Sequence, residues 1–340
     1  YGMVRYENDR LTITGGVRVE RTNDTVKAAL VELVEGGGTH NGVVLADDTI
    51  FITPNEFEHS YTDWLPSVSV RYNLEEDAVL RAGFFRSVVR PGIGKIAPRF
   101  LVEESDNGER KGEFGNPGLS PYRAWNFDLS AEWYFAENAV VQVGTFYKRI
   151  DDFIVDAQFE AGDAPYNGMF NGVAFDEAII PLNGDRATVK GLEFNYQQAL
   201  TSLPAPLDGL LAGVNYTWTD TTGDIGSRTI PLPAASKHNY NLMLGYEKGP
   251  VSVRVTAAYR DKYLDELGGS AEEDRYVKDH LQLDLTASYD VTRQVKVYAQ
   301  MVNLNDEPYL AYQSGPVRER LLQYETYSWT GKLGVQVNFR

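Results

Sequence analysis

The alternation of apolar and polar residues over long stretches limits how this chain can fold more than any other feature of its sequence. From Tyr327 to Phe339, the odd positions are aromatic, aliphatic or glycine, and the even positions are mostly polar. A period of two places successive side chains on opposite faces of a β-strand. The pattern therefore predicts strands with one apolar and one polar face, and it recurs at 11–20, 67–74, 125–133, 251–259 and 280–291.

The alternating segments are long for strands of a soluble protein. They run for about 9–11 residues or more, which matches a tilted strand that spans a membrane, whereas soluble strands average about 5–6 residues. A large soluble β-sandwich or propeller would also alternate, so periodicity alone leaves both kinds of protein open. Several apolar faces carry an aromatic ring near one end, which suits the boundary between lipid and water: Trp133, Tyr246, Tyr259, Tyr289 and Phe339.

The connections between the strands alternate between short and long. Thirteen strand segments can be identified, with short connections near 8–10, 75–77, 136–138, 203–209, 248–250 and 292–294. The other connections are long, at roughly 27–60, 91–121, 156–182, 220–237, 261–276 and 304–324. Outer-membrane barrels have tight turns at one rim and long loops at the other, whereas a sandwich or propeller has no reason to sort its loops. The connection lengths therefore predict an all-β, transmembrane, antiparallel up-and-down β-barrel.

Composition excludes several function classes. The 340 residues include 48 Asp and Glu against 32 Lys and Arg, which argues against nucleic acid as a partner because phosphate binding needs a basic face. The chain is 43% hydrophobic, which is too apolar for a disordered acidic protein. It has no Cys, so thiolate metal sites and thiol nucleophiles are excluded. No apolar run approaches the roughly 18–20 residues that a membrane-spanning helix needs.

The thirteen strand segments do not account for a complete, closed barrel. Bacterial single-chain barrels have an even number of strands, and an open edge in lipid costs several kcal/mol for each unpaired backbone group. The chain ends on a strand with the penultimate aromatic residue Phe339. We therefore expect residues 1–340 to form the C-terminal portion of a larger barrel, with further strands before Tyr1.

Five segments resemble one protein family. Residues 115–121 (GNPGLSP), followed by 125–133 (WNFDLSAEW), resemble a characteristic stretch of TonB-dependent outer-membrane receptors. Arg340 is a departure, because family members usually end on the aromatic residue itself. Four further pieces resemble the same family in the same order, namely 65–72 with 81–84 and 90–91, 146–150 with 152–154, 189–194, and 302–307.

The resemblance implies a barrel of about 22 strands around a plug domain, of which this chain supplies the last thirteen. The plug and the N-terminal motif that contacts the TonB energy-transducing complex are not in this sequence. As the resemblance implies, the whole protein lies in the bacterial outer membrane among lipid and lipopolysaccharide and imports a scarce nutrient such as a ferric siderophore, oligosaccharide or vitamin. No cofactor is implied. The alternatives are a passive porin-like channel and a soluble glycan-binding β-protein.

The long loops are the expected ligand-facing surface, because loops on a rigid scaffold carry recognition. For Trp218 and Tyr263 the alternative is an outer aromatic girdle. On the polar, lumen-facing side, Arg81 and Arg254 are the candidates for plug contact, because a guanidinium can donate two parallel hydrogen bonds to a carboxylate. The alternative is that these residues belong to a generic hydrated wall. The candidate ligand-binding residues are Arg90, Arg99, Trp218, Tyr263, Tyr309 and Tyr312.

No catalytic or metal site is predicted. His280 and Asp284 share a strand face but lie about 13 Å apart along it, too far for a hydrogen bond. No Ser lies in a G-x-S-x-G elbow and no His pair has a metal-ligand spacing. Acidic residues cluster at 27–60 and 261–276 and could bind divalent cations through their carboxylates. Neither cluster has the spacing of a calcium loop, so the alternative interpretation is a solvated acidic surface. Acidic loops favour a neutral ligand over an anionic one.

Overall fold

A computed structural model describes residues 1–97, 100–104, 108–315 and 317–339. Thirteen of the strands in this part of the chain form one continuous wall. The wall strands are β1 (Gly2–Glu7), β2 (Leu11–Val34), β3 (Thr49–Asn73), β4 (Ala78–Val89), β5 (Tyr122–Ala136), β6 (Ala139–Asp151), β7 (Arg186–Ala199), β8 (Leu210–Asp224), β9 (His238–Lys248), β10 (Val251–Arg260), β11 (His280–Asp290), β12 (Val295–Val302) and β13 (Thr330–Val337).

Each wall strand pairs antiparallel with the next strand along the chain, from β1 with β2 to β12 with β13. This confirms the predicted all-β, antiparallel up-and-down sheet. Within the described residues, β1 and β13 are the two edges of the wall and do not pair with each other. Within the described residues, the wall is therefore a section of antiparallel sheet with two open edges.

The two faces of the wall differ in polarity, as the alternation predicts. On one face large apolar side chains stay exposed: Leu192 on β7 is 51% exposed, Leu244 on β9 is 69% exposed and Val335 on β13 is 63% exposed. On the other face Arg71 lies opposite Arg81, and Glu132 lies opposite Gln142. An apolar face this wide is a surface for lipid, because a soluble protein would bury it. We call it the outward face and the polar one the inward face.

The connections are sorted by rim. The turns at one rim are 8–10, 74–77, 137–138, 200–209, 249–250 and 291–294, and the loops at the other are 35–48, 90–121, 152–185, 225–237, 261–279 and 303–329. The tight turns use left-handed backbone conformations where they need them, as at Asn138 (φ 58°) and Gly249 (φ 56°).

The long loops carry short elements of their own. There is a one-turn α-helix at Ile93–Ile96 and a 3₁₀ turn at Leu207–Gly209, the latter at the turn rim. No helix in the described ranges has the length and apolar character needed to cross a membrane. The additional strands are Thr39–His40, Val43–Val44, Phe100–Glu104, Arg110–Phe114, Ile154–Glu160, Met169–Phe170, Val173–Ala174, Glu177–Asn183, Thr229–Ile230, Tyr263–Glu266, Arg275–Val277, Tyr309–Gln313 and Arg320–Glu325.

The predicted loop 27–60 is wrong in extent. The strands β2 and β3 stay paired from Leu11 opposite Tyr72 to Val34 opposite Thr49, which leaves only 35–48 as a loop. The end of this hairpin also pairs with the strand Phe100–Glu104. Its backbone groups are therefore satisfied within a sheet that extends beyond the other wall strands.

Replacing Leu192 by Arg is expected to destabilise the full-length protein by about 2–4 kcal/mol, because a charged side chain would face hydrocarbon near the middle of a spanning strand. The matched control is Asn195→Arg on the inward face of the same strand, which should cost less than about 1 kcal/mol. Denaturant unfolding in lipid vesicles measures both. Equal losses for the two variants would contradict the assignment of the faces.

Candidate functional site

The long loops pack against one another through two clusters of buried apolar side chains. The first cluster joins loops 90–121 and 152–185, and the second joins loops 152–185, 225–237 and 261–279. Leu182 packs against both clusters. The loops therefore form one packed layer over the long-loop rim, which we call the loop cap. The first cluster includes Val102, Phe114, Phe159, Phe170, Phe175 and Ile180, and the second includes Phe153, Val155, Ala187, Ile230, Leu264 and Leu267.

Backbone pairing continues from the wall into the loop cap. The strand Phe100–Glu104 pairs parallel with the outer end of β2 and antiparallel with Arg110–Phe114. The strand Arg110–Phe114 in turn pairs parallel with Glu177–Asn183. Loops 90–121 and 152–185 are thus held by main-chain hydrogen bonds as well as by their apolar cluster.

A buried ion pair joins loops 225–237 and 261–279. Both nitrogens of the Arg228 fork donate to Asp274 at 2.6 Å, and Arg228 also donates to the Gly268 carbonyl at 3.2 Å. Asp274 is only 3% exposed. Its hydrogen bonds raise the pKa of Arg228 above the usual value, so the guanidinium stays charged. The pair fixes the relative position of the two loops.

Two neighbouring cavities open in the loop cap, and both lie in the size range of small-molecule sites. The larger has a volume of about 760 Å³ and combines aromatic walls with polar groups from Asn116, Tyr166 and Arg228. Burial raises the pKa of the Tyr166 phenol, which therefore stays a neutral hydrogen-bond donor. The smaller cavity, of about 460 Å³, is lined by the acidic residues Glu113, Asp156, Asp265 and Glu266, with Lys95 beside Asp156.

Three of the predicted ligand residues meet in one small sheet of the loop cap. This four-stranded sheet consists of Tyr263–Glu266, Arg275–Val277, Tyr309–Gln313 and Arg320–Glu325. Tyr312 is 5% exposed and stacks on Tyr276 at 5.8 Å between ring centroids, so its ring supports the sheet rather than facing a cavity. Tyr263 lies under the guanidinium of Arg260 at 4.5 Å, and Tyr309 pairs with Glu325 across the sheet.

The other predicted ligand residues lie apart from this sheet. Arg90 donates to Glu20 at 2.5 Å and to Thr22 at 3.1 Å, which ties the end of β4 to β2. Trp218 lies opposite Leu192 on the outward face, the position expected of an aromatic girdle. Arg99 lies outside the described residues. Ligand contact by all six residues remains a prediction.

The two predicted plug-contacting arginines already have carboxylate partners in the wall. Arg81 forks onto Glu132 at 2.7 and 3.3 Å, and Arg254 donates two hydrogen bonds to Glu247 at 2.5 and 3.0 Å. A contact with a plug would have to be added to these pairs or replace them. Plug contact by Arg81 and Arg254 stays a prediction.

In the described part of the chain, no group of three or more His, Asp or Glu side chains is placed to hold a metal ion. In loop 261–279, Asp274 is bound by Arg228 and Asp265 by Arg275 at 2.9 Å. These carboxylates are paired with arginines rather than converging on a common point. The two pairs were not found from the sequence, since their members lie 46 and 10 residues apart in loops without fixed spacing.

Comparison with known proteins identifies the family. The family model of TonB dependent receptor-like β-barrels matches residues 1–304. The chain belongs to this family.

The vitamin B12 transporter BtuB of Photobacterium profundum is 23% identical over 331 residues, which are 94% of this chain and 45% of the relative. The ferric-catecholate import receptor Fiu of Escherichia coli K12 superposes with a TM-score of 0.64 at 16% identity, covering 98% of this chain and 43% of that one. The hemophore receptor HasR of Serratia marcescens, solved with its hemophore HasA and heme, has a TM-score of 0.60 at 15% identity, covering 99% and 50%. The chain thus spans about half the length of these relatives.

The segments that resemble other TonB-dependent receptors anchor the loops to each other and to the wall. Asn116, in GNPGLSP, donates to the Pro181 carbonyl at 2.9 Å. Asn183 accepts from the Ser120 amide at 2.9 Å and donates to the carbonyls of Ser120 and Asp152 at 2.9 and 2.7 Å. These bonds join the start of β5 to loop 152–185.

A second anchor lies where β12 ends. Asn303 adopts φ 58° and donates to the carbonyls of Glu307 and Ser328, both at 3.3 Å. Asn305 accepts from the Leu283 amide at 3.0 Å and donates to the Leu281 carbonyl at 2.6 Å. The family-like segment 302–307 therefore fixes loop 303–329 to β11.

Replacing Asp274 by Ala is expected to loosen loops 225–237 and 261–279, because Arg228 would be left as a half-buried charge without its partner, at a cost of about 3–5 kcal/mol to the local packing. Limited proteolysis of the full-length protein measures the effect as faster cleavage within these loops. Glu272→Ala, in the same loop but exposed, serves as the control. Cleavage rates that are equal in the two variants would contradict a fixing role for the ion pair.

Proposed function

We propose that this chain supplies the C-terminal portion of the wall and the external ligand-facing loops of a TonB-dependent transporter in the bacterial outer membrane. The observation that carries the proposal is the packed loop cap, with two cavities, over one rim of a wall whose outward face is apolar. A passive channel needs a clear opening, whereas packed loops with cavities favour capture of a specific ligand. A soluble glycan-binding protein would not leave so wide an apolar face exposed.

The proposal includes strands and a plug domain that this chain does not contain. Open edges such as those of β1 and β13 are costly in lipid, so further strands would pair with them. The inward face carries the polar row of Arg71, Arg81 and Glu132 that would line the lumen around a plug. Energy from the TonB complex would act on that plug, and the ligand would pass without chemical change.

The cavities support a ligand that is neutral or carries only a small negative charge. The larger cavity offers rings, an amide and a phenol, with the Arg228 charge already held by Asp274. The smaller one is dominated by carboxylates, which repel anions. A vitamin, an oligosaccharide or a weakly charged metal complex fits this chemistry better than a highly anionic ferric siderophore. The relatives are named for a vitamin, a ferric catecholate and a hemophore, so membership of the family leaves the choice open.

Uptake by cells that express the full-length protein is expected to require TonB. Cobalamin, neutral oligosaccharides and ferric siderophores are offered separately, and accumulation is compared in cells with and without TonB. The expected result is that one ligand accumulates and that its uptake falls to background in cells without TonB. The purified full-length protein, tested without TonB, should still bind that ligand. Uptake that persists without TonB would support the passive channel, and recovery of the protein without detergent would support the soluble alternative.

Replacing Tyr166 by Ala is expected to lower the affinity for that ligand by roughly tenfold, because a partly buried ring and a hydrogen-bond donor leave the wall of the larger cavity. Equilibrium binding to the purified full-length protein is the measurement. Tyr324→Ala, an exposed tyrosine outside both cavities, should change the affinity by less than about twofold. If both variants bind as the unaltered protein does, the larger cavity is not the ligand site.

A further inference from the structure

Asn–Gly pairs occur five times in this chain, and in three of them both residues have a left-handed backbone. The φ angles are 50° and 78° at 41–42, 48° and 76° at 167–168, and 46° and 84° at 171–172. Positive φ at two successive residues is the conformation of a type I′ turn, which favours Asn–Gly. The pairs begin at Asn41, Asn107, Asn167, Asn171 and Asn183, of which Asn107 lies outside the described residues.

Two of these turns have no other part of the chain against their glycines. The pair 41–42 closes the short hairpin 39–44, and the pair 171–172 closes the short hairpin 169–174. All four turn residues are exposed, and beyond the adjoining residues no atom lies within 4 Å of the place where a β-carbon would stand at Gly42 or Gly172. The hydrogen bond of such a turn joins the residues on either side, so it does not engage the glycine N–H. Both turns can therefore open locally at little cost.

The other two described pairs are held in place. The backbone N–H of Asn167 is hydrogen-bonded at 2.7 Å, and the place of a β-carbon at Gly168 lies 3.0 Å from the Ala161 carbonyl oxygen. Asn183 ends a strand, and its side chain is hydrogen-bonded to two segments of the neighbouring backbone. Rotation of either Asn side chain toward the next backbone nitrogen would disturb these contacts.

The approach of an Asn side chain to the next backbone nitrogen has a chemical consequence. The deprotonated Gly nitrogen attacks the Asn Cγ and forms an N–Cγ bond, while the Cγ–Nδ2 bond breaks and the amide nitrogen takes up the displaced proton and leaves as ammonia. Water then opens the cyclic imide. Hydrolysis at Cγ gives Asp, whereas hydrolysis at the backbone carbonyl gives isoaspartate, whose main chain runs through an additional carbon. Gly hinders the attack least, because it has no β-carbon.

We propose that Asn171 is a site of spontaneous deamidation and that its isoaspartyl product loosens the wall of the larger cavity. Phe170 and Val173, on either side of the turn, are 6% and 7% exposed and belong to the first apolar cluster. The Phe170 ring lies edge-to-face with Tyr166 at 5.0 Å between centroids, and Tyr166 lines the cavity. An additional main-chain carbon lengthens the turn, so Phe170 and Val173 no longer both reach their positions in the cluster.

Asn41 is expected to deamidate as Asn171 does, but without this effect. None of the described residues 39–44 belongs to either apolar cluster. Val43 and Val44, beside the turn, are 62% and 68% exposed. Both sites gain the same carboxylate. Their comparison therefore separates the effect of a longer main chain beneath the aromatic cluster from the effect of added negative charge.

The test ages the purified full-length protein in detergent at mildly alkaline pH, in heavy-oxygen water that labels each newly formed carboxylate. Peptide mass spectrometry with electron-transfer fragmentation measures Asp and isoaspartate at each Asn–Gly pair. Modification at Asn41 and Asn171 is expected to be roughly tenfold or more faster than at Asn167 and Asn183. Limited proteolysis of the aged protein reports the packing of loop 152–185, and cleavage there should rise with the isoaspartate content at Asn171.

Two matched variants assign the loosening to one turn. N171G and N41G each remove one reactive amide and keep a turn with positive φ, because Gly–Gly is also favoured there. On ageing, N171G should keep its fresh cleavage rate in loop 152–185, whereas N41G should be cleaved faster, as the aged unaltered protein is. Equal modification of the four described pairs, or equal cleavage of the two aged variants, would overturn the proposal. Neither measurement involves a nutrient or TonB, so a failure of the proposed transport function would leave both results unchanged.

Discussion

Backbone hydrogen bonding in lipid is the constraint on which the rest of this structure depends. A strand that faces hydrocarbon cannot satisfy its N–H and C=O groups with water, so every one of them must pair with a neighbouring strand. The unbroken order of antiparallel neighbours from β1 to β13 meets that requirement along the paired lengths of the wall strands and leaves β1 and β13 as the two edges within the described residues. The alternation of apolar and polar residues follows from the same placement of the strands. A sheet with lipid on one side and a water-filled lumen on the other needs side chains of opposite polarity at successive positions.

The same requirement explains why the loop cap contains so much sheet. Loops above the rim are close to one another and partly buried, so their backbone groups also need partners. The strands Phe100–Glu104, Arg110–Phe114 and Glu177–Asn183 provide them by extending the hairpin of β2 and β3 sideways. The aromatic cluster around Phe114 and Phe159 then packs on this added sheet. The cavities are consequently formed in a rigid layer, which lowers the entropy cost of holding a ligand.

How much of this could be predicted from the sequence depends on whether the contacts are local. The wall strands follow from a period of two, and all thirteen were anticipated because alternation is a property of neighbouring residues. The hairpin end beyond Lys27 was assigned to a long connection, whereas its stability depends on pairing with Phe100–Glu104, far along the chain. The position of Tyr312 was equally hidden, since its burial depends on stacking against Tyr276 from another loop. The pair of Arg81 and Glu132 lies between these cases: the sequence places Arg81 on the polar, lumen-facing side, but its contact with Glu132 required the register of β4 and β5.

The family-like segments mainly anchor the loops, and one of their residues, Asn116, also lines the larger cavity. Asn116, Asn303 and Asn305 bond to backbone groups of neighbouring loops and strands, an interaction that requires an amide at a fixed place but no particular ligand. The other polar residues that line the cavities include Tyr166, Arg228 and the acidic residues of loops 90–121, 152–185 and 261–279. Because recognition rests on side chains that the anchors position but do not specify, a family match defines the architecture of the site and leaves its ligand to be read from cavity chemistry.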